Sequence, residues 1–245
     1  MKQKIVNGRW VLWTTDDVAN WDGGTGDYAS RNGWEFERFE SFRQELVWGD
    51  TFFDVGAEHG WISAIIGREF VGAANMVLFE PGVEFWGSIR KVWHWNGLDT
   101  PLDCFSGFVD AKTVGRYQSG IDGWPAEASV SSPEIGGMPY NRIGFQDRPS
   151  ITIDDYVKYS GHKPTAINVD VEGAELLVMQ GASQTLLNCR PLVWISIHPD
   201  LIERDFGATK ETVLGFMRGS GYTGTHLGTD HEEHWLFKPR CLHAA

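Results

Sequence analysis

The fold of this chain is decided by the segment Thr51-Phe52-Phe53-Asp54-Val55-Gly56-Ala57-Glu58-His59-Gly60. It begins with a short apolar run and ends in a turn with two glycines, which is typical of a buried parallel strand that leads into a helix. Apolar residues continue over Trp61–Ile66, where the sequence predicts the start of that helix. The segment therefore predicts strand, turn and helix, the first unit of an α/β domain.

The same alternation recurs along the chain. A second apolar run, Met76–Phe79, ends at Glu80-Pro81 and precedes a helical stripe closed by Asn96-Gly97. Further strands are predicted at 101–109, 166–171 and 192–197, helices at 83–95, 174–188 and 210–219, and an antiparallel hairpin at 222–227 and 234–238. Strands separated by helical patterns predict a mostly parallel sheet with helices on both faces.

Two regions do not follow this alternation. Residues 1–50 precede the first predicted strand of the sheet, and we interpret them as a cap, with a helix at 34–46, on a main domain at 51–245. Residues 118–149 are rich in Gly, Ser and Pro and are too long for an ordinary connection. A substrate loop and a disordered insertion are both compatible with that composition.

The composition is that of a water-soluble globular protein, with 42% hydrophobic residues, 22% charged residues and a net charge of -12. An acidic chain lacks the Lys and Arg surface that nucleic acids and anionic lipids require, so we expect neither as a partner. Three widely separated cysteines, Cys104, Cys189 and Cys241, indicate a reducing compartment. With no export signal and no apolar run of about 18 residues, we expect a cytoplasmic protein.

The glycine turn carries the cofactor hypothesis. A dinucleotide site requires Gly-x-Gly-x-x-Gly, whose middle glycine lets pyrophosphate reach the backbone amides. Here that position is Glu58, which would repel phosphate, and the spacing is Gly-x-x-x-Gly. S-adenosylmethionine has no phosphate and carries an ammonium and a sulfonium, so Asp54 and Glu58 are complementary to it.

Acidic residues also follow the next strands. Glu80 ends the second strand, where a carboxylate can accept both ribose hydroxyls of either NAD or S-adenosylmethionine. Asp110 ends the predicted third strand, in position for the adenine amino group. In the fourth strand, alternation places Asn168, Asp170 and Glu172 on one side, at the carboxyl edge where open α/β sheets bind ligands. Placement at the next helix's positive end is an alternative explanation for the acids that follow this strand, Glu172 and Glu175.

Together these motifs resemble the FkbM-type S-adenosylmethionine-dependent methyltransferases. The matching motifs, spread over about residues 34–239, are Phe53-Asp54-Val55-Gly56-Ala57 with Gly60, Phe79-Glu80-Pro81, Asn96-Gly97-Leu98, Ile151-Thr152-Ile153-Asp154-Asp155-Tyr156, Asn168-Val169-Asp170-Val171-Glu172-Gly173-Ala174-Glu175 and the following residues 178–187. The resemblance implies a Rossmann-like class I methyltransferase fold, with a seven-stranded sheet whose last strand is antiparallel. It also implies methyl transfer to a hydroxyl oxygen, often on a sugar or glycosylated natural product.

The chain departs from the family pattern at three positions. The family usually has Asn at Glu58, Lys at Asn168 and Glu at Ser196. The first change alters the methionine end of the cofactor site, and the other two remove candidate catalytic groups. The predicted cofactor-binding residues are Asp54, Gly56, Ala57, Glu58, Gly60, Glu80, Asp110 and Asp170.

Methyl transfer needs an aligned oxygen nucleophile and a base that removes its proton. Asp170 and His198 are the candidate bases, and His198 has the alternative role of an ordinary turn histidine before a proline. A divalent ion such as Mg²⁺, if one is present, would be held by Asp170 with Glu172. The cluster Asp230-His231-Glu232-Glu233-His234 also contains metal-ligand residue types, but its spacing favours a solvated turn.

The leading hypothesis is therefore an S-adenosylmethionine-dependent O-methyltransferase acting on a sugar, a glycosylated molecule or another small acceptor. An NAD-dependent oxidoreductase and a cofactor-binding module without turnover are the alternatives, and a homo-oligomer is possible in each case. The chain has 12 Trp residues, and aromatic faces stack on sugar rings. We therefore expect around the acceptor Trp10, Trp13, Trp21, Trp34 and Trp124.

Overall fold

The computed structural model describes residues 1–6, 8–15, 35–114, 124–125 and 148–241. Its centre is a seven-stranded sheet built from β3 (Phe52–Val55), β4 (Met76–Phe79), β5 (Asp103–Phe105), β8 (Ala166–Val169), β9 (Leu192–Ile197), β10 (Tyr222–Thr229) and β11 (Glu233–Pro239). The strand order is β10-β11-β9-β8-β3-β4-β5. β11 runs antiparallel to both neighbours, while β9, β8, β3, β4 and β5 are parallel. The seven-stranded α/β sheet with an antiparallel last strand is confirmed.

Helices cover both faces of this sheet. One face carries α1 (Phe36–Glu45), α2 (Trp61–Ile66) and α3 (Val83–Trp95), and the other carries α4 (Ile153–Ser160), α5 (Glu175–Gln180), α6 (Ser183–Asn188), α7 (Pro199–Phe206) and α8 (Lys210–Gly219). Strand alternation explains the two cores, because successive side chains point to opposite faces. Phe52 packs in the core beneath α1 to α3, and Phe53 packs in the other. Among the described residues, no helix is both long and apolar enough to cross a membrane.

The predicted third strand at 101–109 is two strands. β5 ends at Phe105, and β6 (Phe108–Val109) pairs in parallel with β7 (Ser150–Ile151) in a separate small sheet. A Cβ atom on Gly107 would lie 2.4 Å from the Pro149 carbonyl oxygen, so this close approach requires glycine where the two strands separate. The sequence could not show the break because the partner strand lies some forty residues away.

The amino-terminal residues contribute a hairpin and a helix. β1 (Lys2–Val6) and β2 (Trp10–Thr14) form an antiparallel pair, and Trp10 packs against Phe39 of α1. Phe42, also on α1, packs against Trp194 of β9. The division into a cap and a main domain stays a prediction. The predicted insertion at 118–149 lies outside the described residues except at 124–125 and 148–149.

Gly56 lets two strands of the sheet meet at their carboxyl ends. Its φ is +90°, and a Cβ atom there would lie 1.8 Å from the carbonyl oxygen of Asp170. At Gly60 a Cβ atom would lie 2.8 Å from Ile89 of α3. Both glycines of the turn are therefore required by packing within the chain.

Replacing Gly56 by Ala should lower the free energy of unfolding by more than replacing Gly161 by Ala. Gly161 also has a positive φ, +78°, so alanine is strained at either position, at a cost of about 1–2 kcal/mol. A Cβ atom at Gly161 has nothing within 4 Å, so only Gly56→Ala adds a collision with backbone. Urea unfolding of the three proteins measures the difference, and equal losses would contradict this role of Gly56.

Candidate active site

The carboxyl ends of β3, β4, β8 and β9 bring together most of the predicted site residues. The backbone itself connects these ends: Gly56 and Ala57 donate hydrogen bonds to the Phe79 carbonyl oxygen, and Asp170 donates one to Val55. Open parallel sheets bind ligands at this edge because the strand-to-helix turns leave polar groups there. The candidate site is therefore positioned by the regular sheet.

Glu80 is fixed by two backbone amides. Its Oε2 accepts a hydrogen bond from the Glu58 amide at 2.8 Å, and its Oε1 accepts one from the Gly82 amide at 2.6 Å. Burial raises the pKa of Glu80 to about 8, against the lowering effect of these two amides. The carboxylate stands in one orientation beside the glycine turn and keeps lone pairs free for further donors.

Asp54 belongs to a chain of buried polar contacts. Its Oδ1 accepts a hydrogen bond from Asn168 at 2.8 Å, and Asn168 Oδ1 accepts one from Arg38 of α1 at 2.6 Å. Asp54 Oδ2 has no hydrogen-bond partner although the residue is 1% exposed. Burial raises the pKa of Asp54 to about 7. Such a buried, unpartnered carboxylate oxygen is suited to a cationic or donor group of a ligand.

Arg38 continues this chain to Asp170. Its Nη1 donates to Asp170 Oδ2 at 3.0 Å and to Glu35 Oε2 at 2.7 Å. Burial would lower the pKa of Arg38, but Glu35, Asp170 and Glu232 together raise it above its usual value. For Glu35 burial is the larger effect and raises the pKa to about 7, against the attraction of Arg38. The guanidinium thus carries a permanent charge beneath the strand ends.

His198 lies at the end of β9 among carboxylates. Its Nδ1 is 2.8 Å from Glu175 Oε1, and its Nε2 is 3.8 Å from Asp170 Oδ1 and 3.6 Å from Glu172 Oε2. Nε2 also touches Glu232 Oε2, but the two atoms lack the alignment of a hydrogen bond. Burial would lower the pKa of His198, yet Glu175, Glu232 and Asp170 outweigh it and raise the pKa to about 12. Asp170 and His198, the two predicted bases, are therefore neighbours.

Two glutamates at the strand ends have left-handed backbone. Glu58 has φ +46° and Glu172 has φ +54°, which few residues other than Gly, Asn and Asp adopt without strain. The Glu172 side chain is 76% exposed. Burial, followed by repulsion from Asp170 and Glu172, raises the pKa of Glu58 to about 7. Both side chains are presented at the rim of the site.

The 230–234 segment is not the solvated turn that its spacing favoured. Glu232 and His234 are 2% and 3% exposed, because β11 lies inside the sheet between β9 and β10. His234 contacts Ser196 Oγ through Nδ1 at 3.1 Å and Asp230 Oδ2 through Nε2 at 3.2 Å. Desolvation would raise the pKa of Glu232, but the contact with His198 and its positive charge outweigh desolvation and lower this pKa to about 2. Glu232 joins the site, which the sequence reading missed.

Asp110 is not at the end of the third strand of the sheet. It follows β6, and its Oδ1 accepts a hydrogen bond from the next amide, Ala111. Phe105, which does end β5, accepts a hydrogen bond from the Glu80 amide at 3.1 Å. The contact of Asp110 with adenine stays a prediction.

The tryptophans predicted around the acceptor, where they are described, do not surround the strand ends. Trp10 is 4% exposed in the core. The backbone of Trp13 pairs with Asn96 just beyond the carboxyl end of α3, at the opposite edge of the sheet. Trp124 packs on Trp93 and Arg90 in the second half of α3. A cleft between the hairpin and the ends of α2 and α3 includes Trp13 and Trp95 but none of the site carboxylates. Trp21 and Trp34 lie outside the described residues.

Sequence reasoning also missed Arg38, Glu35 and the role of Glu175. Arg38 and Glu35 precede the sheet by more than ten residues, and no strand-end rule points to them. For Glu175 the positive end of a helix is one of two explanations from the sequence, and Glu175 is indeed the first residue of α5. It is also 0% exposed and contacts both the Gly173 amide and His198, which the sequence does not predict. For Glu175 the only signal in the sequence is its spacing of three residues from Glu172, after a buried strand.

Residues 54–236 match the model of the methyltransferase FkbM domain. The chain belongs to this family. The match includes the glycine turn, Glu80, the Asp170 strand end and the 230–234 turn, whereas Glu35 and Arg38 precede the matched residues. No curated protein sequence matches the chain.

Solved methyltransferase structures are similar to this chain at low identity. An FkbM methyltransferase from Methylobacillus flagellatus KT is 19% identical with a TM-score of 0.48, over 78% of this chain and 43% of that one. A methyltransferase from Pyrococcus furiosus is 14% identical with a TM-score of 0.46, over 82% and 80%. A putative tRNA (m1A22) methyltransferase from Streptococcus pneumoniae, in complex with S-adenosyl-L-methionine, is 10% identical with a TM-score of 0.46, over 85% and 75%. The chain thus spans less than half of the Methylobacillus protein.

The raised pKa of Glu80 predicts a pH-dependent stability. A carboxyl with pKa 4.5 when unfolded and about 8 when folded stabilises the fold below pH 4.5 and loses that contribution as pH rises to 8. Within that window the group should lower the free energy of unfolding by about 1.4 kcal/mol per pH unit. Urea unfolding at pH 5.5 and 8.0 should show a smaller decline in Glu80→Gln than in the unmodified chain. Equal declines would contradict the buried, neutral state of Glu80.

Proposed function

We propose that this methyltransferase uses S-adenosylmethionine to methylate a hydroxyl oxygen of a sugar or another small-molecule acceptor. The observation that supports a nucleoside donor is the position of the Glu80 carboxyl group, which two backbone amides hold beside the glycine turn. A carboxylate fixed in this way at the second strand end is placed to accept the two ribose hydroxyls of a nucleoside. The turn and the acids around it decide which nucleoside.

The acids favour a cationic, phosphate-free donor. Asp54 has an unpartnered buried oxygen, and Glu58 occupies the position at which a pyrophosphate site needs glycine. The residues that would hold S-adenosylmethionine are Glu80 at the ribose and Asp54, with Glu58, at the methionine end. When bound, this donor supplies an electrophilic methyl group on a sulfonium.

The acceptor side is formed by Asp170 and its neighbours. In the proposed reaction the acceptor oxygen loses its proton and forms a bond to the methyl carbon, while the carbon–sulfur bond breaks and its electron pair stays on sulfur. Arg38 binds Asp170 Oδ2 and not Oδ1, which lies 3.8 Å from His198 Nε2, and we assign Oδ1 the role of taking the proton. With a pKa near 12, His198 holds its proton at neutral pH, so we assign it the role of charge partner. The sugar acceptor and the cytoplasmic location rest on the resemblance and the composition.

Calorimetry with S-adenosylhomocysteine should give saturable binding, and calorimetry with NAD should give none. Replacing Glu80 by Gln should weaken S-adenosylhomocysteine binding by about 10- to 100-fold, because the amide NH2 cannot accept from the second ribose hydroxyl and a buried donor left unpaired costs roughly 1–3 kcal/mol. The matched control is Glu84→Gln, an exposed glutamate on α3, which should bind normally. Binding of NAD alone would overturn the donor assignment in favour of an oxidoreductase.

Replacing Asp170 by Asn should reduce methyl transfer about 10²- to 10⁴-fold, the usual contribution of a positioned base. Affinity for S-adenosylhomocysteine should change much less, so kcat and donor binding should separate. Glu203→Gln, an exposed acid on α7, is the control. The assay follows S-adenosylhomocysteine formation over a panel of glycans and hydroxylated small molecules. Full activity of Asp170→Asn would exclude Asp170 as the base, and donor binding without any turnover would favour a binding module.

A further inference from the structure

Three side-chain atoms at the end of β8, β9 and the 230–234 turn converge on one small space. They belong to Asp170, His198 and Glu232, each of which offers one ligand atom within 4.8 Å of the other two. His198 Nε2 lies 3.8 Å from Asp170 Oδ1 and touches Glu232 Oε2. His198 Nε2 and Glu232 Oε2 touch as an ion pair but make no aligned hydrogen bond with each other or with any other described atom, although the two side chains are only 6% and 2% exposed. Buried polar atoms are almost always hydrogen-bonded, and a cation between these two would give each of them a partner.

The other polar atom of each residue is already held. His198 Nδ1 lies 2.8 Å from the fully buried Glu175 carboxylate, and Arg38 binds Asp170 Oδ2 at 3.0 Å. Glu232 Oε1 faces the same guanidinium at 3.9 Å. A metal-binding histidine characteristically gives its other ring N–H to a carboxylate, which fixes the ring and leaves a lone pair for the ion. An ion at Nε2 would displace the proton that His198 carries there when no ion is bound. Glu175 and Arg38 thus orient the three free atoms.

We propose that Asp170, His198 and Glu232 bind one divalent first-row transition-metal ion. Ligand atoms about 2.1 Å from an ion are roughly 3.0–3.4 Å apart. An ion would therefore have to separate the touching His198 Nε2 and Glu232 Oε2 and draw in Asp170 Oδ1, which lies 3.8 Å from His198 Nε2. Glu172 Oε2, 3.6 Å from His198 Nε2, is the fourth candidate ligand. One imidazole with carboxylates suits Mn²⁺, Fe²⁺ or Zn²⁺ better than Mg²⁺ or Ca²⁺, which prefer oxygen ligands alone.

A neighbouring group of residues does not qualify. Asp230, Glu232 and His234 also have ligand atoms within 4.8 Å of one another. Both nitrogens of His234, however, have partners, Ser196 Oγ and Asp230 Oδ2. No lone pair of that ring is left for an ion, so His198 is the histidine ligand.

The binding site rests on this geometry and not on the proposed function. Its role does rest on that function: an ion beside Asp170 would lie where the acceptor hydroxyl is proposed to bind. A bound divalent ion lowers the pKa of a hydroxyl oxygen attached to it and so assists its deprotonation. Binding is therefore tested without donor or acceptor.

The test is titration of Mn²⁺ into the chelator-treated full chain, followed by calorimetry and electron spin resonance. We expect one Mn²⁺ per chain, bound more tightly than Mg²⁺, with electron spin echo modulation from one imidazole nitrogen. Glu232→Gln and His198→Gln should each weaken Mn²⁺ binding more than 10-fold, and Glu175→Gln should weaken it about 10- to 100-fold. His234→Gln and His94→Gln, an exposed histidine near the carboxyl end of α3, are the controls, with affinity near that of the unmodified chain.

Absence of Mn²⁺ binding to the unmodified chain would overturn the proposal. So would tighter binding of Mg²⁺, or loss of binding in His234→Gln but not in His198→Gln. If a ligand variant does not fold, the spectrum of the unmodified chain decides, because modulation from one imidazole nitrogen supports the site and its absence refutes it. Failure of methyl transfer leaves these readouts unaffected.

Discussion

The site depends on the hydrogen bonds of the buried Arg38 guanidinium to the end of β8. The guanidinium joins α1 to the carboxyl end of β8 through Asn168 at 2.6 Å and Asp170 at 3.0 Å, and it is 1% exposed. A buried charge is costly unless it is fully paired, and removing one partner of such a pair is strongly destabilising. The strand-end carboxylates therefore hold the amino-terminal helix in place, and that helix in turn fixes the orientation of Asp170.

Arg38 also gives a physical account of two departures from the family pattern. Where the resemblance leads one to expect Lys, this chain has Asn168, and Arg38 brings a cation to its side-chain oxygen from another element. Where Glu is expected, Ser196 contacts His234, and Glu232 of the adjoining turn places a carboxylate 3.8 Å from the same ring. The positive charge that β8 lacks is thus supplied by α1, and the negative charge that β9 lacks is supplied by the 230–234 turn. The electrostatic character of the site does not follow from the strand residues alone.

Sequence alone predicted the elements whose signal is local. The ends of β3, β4, β8 and β9 follow from apolar runs that stop at polar residues, and Glu80, Asp170 and His198 were found in this way. Glu232 was missed because its burial depends on β11 lying between two other strands, which no short pattern encodes. The break after Phe105 was missed for the same reason, since β6 pairs with a strand from beyond a long intervening segment.

The acids of the site fall into two groups whose pKa values are shifted in opposite directions. Asp54 and Glu80 are buried, and desolvation raises their pKa to about 7 and about 8. Glu232 is equally buried, but the charge and contact of His198 lower its pKa to about 2. A cationic donor beside Asp54 would favour the ionised form of that acid, because a nearby positive charge offsets desolvation. Asp54, on the donor side, therefore gains its negative charge when the donor binds, whereas Glu232 is already ionised without a ligand.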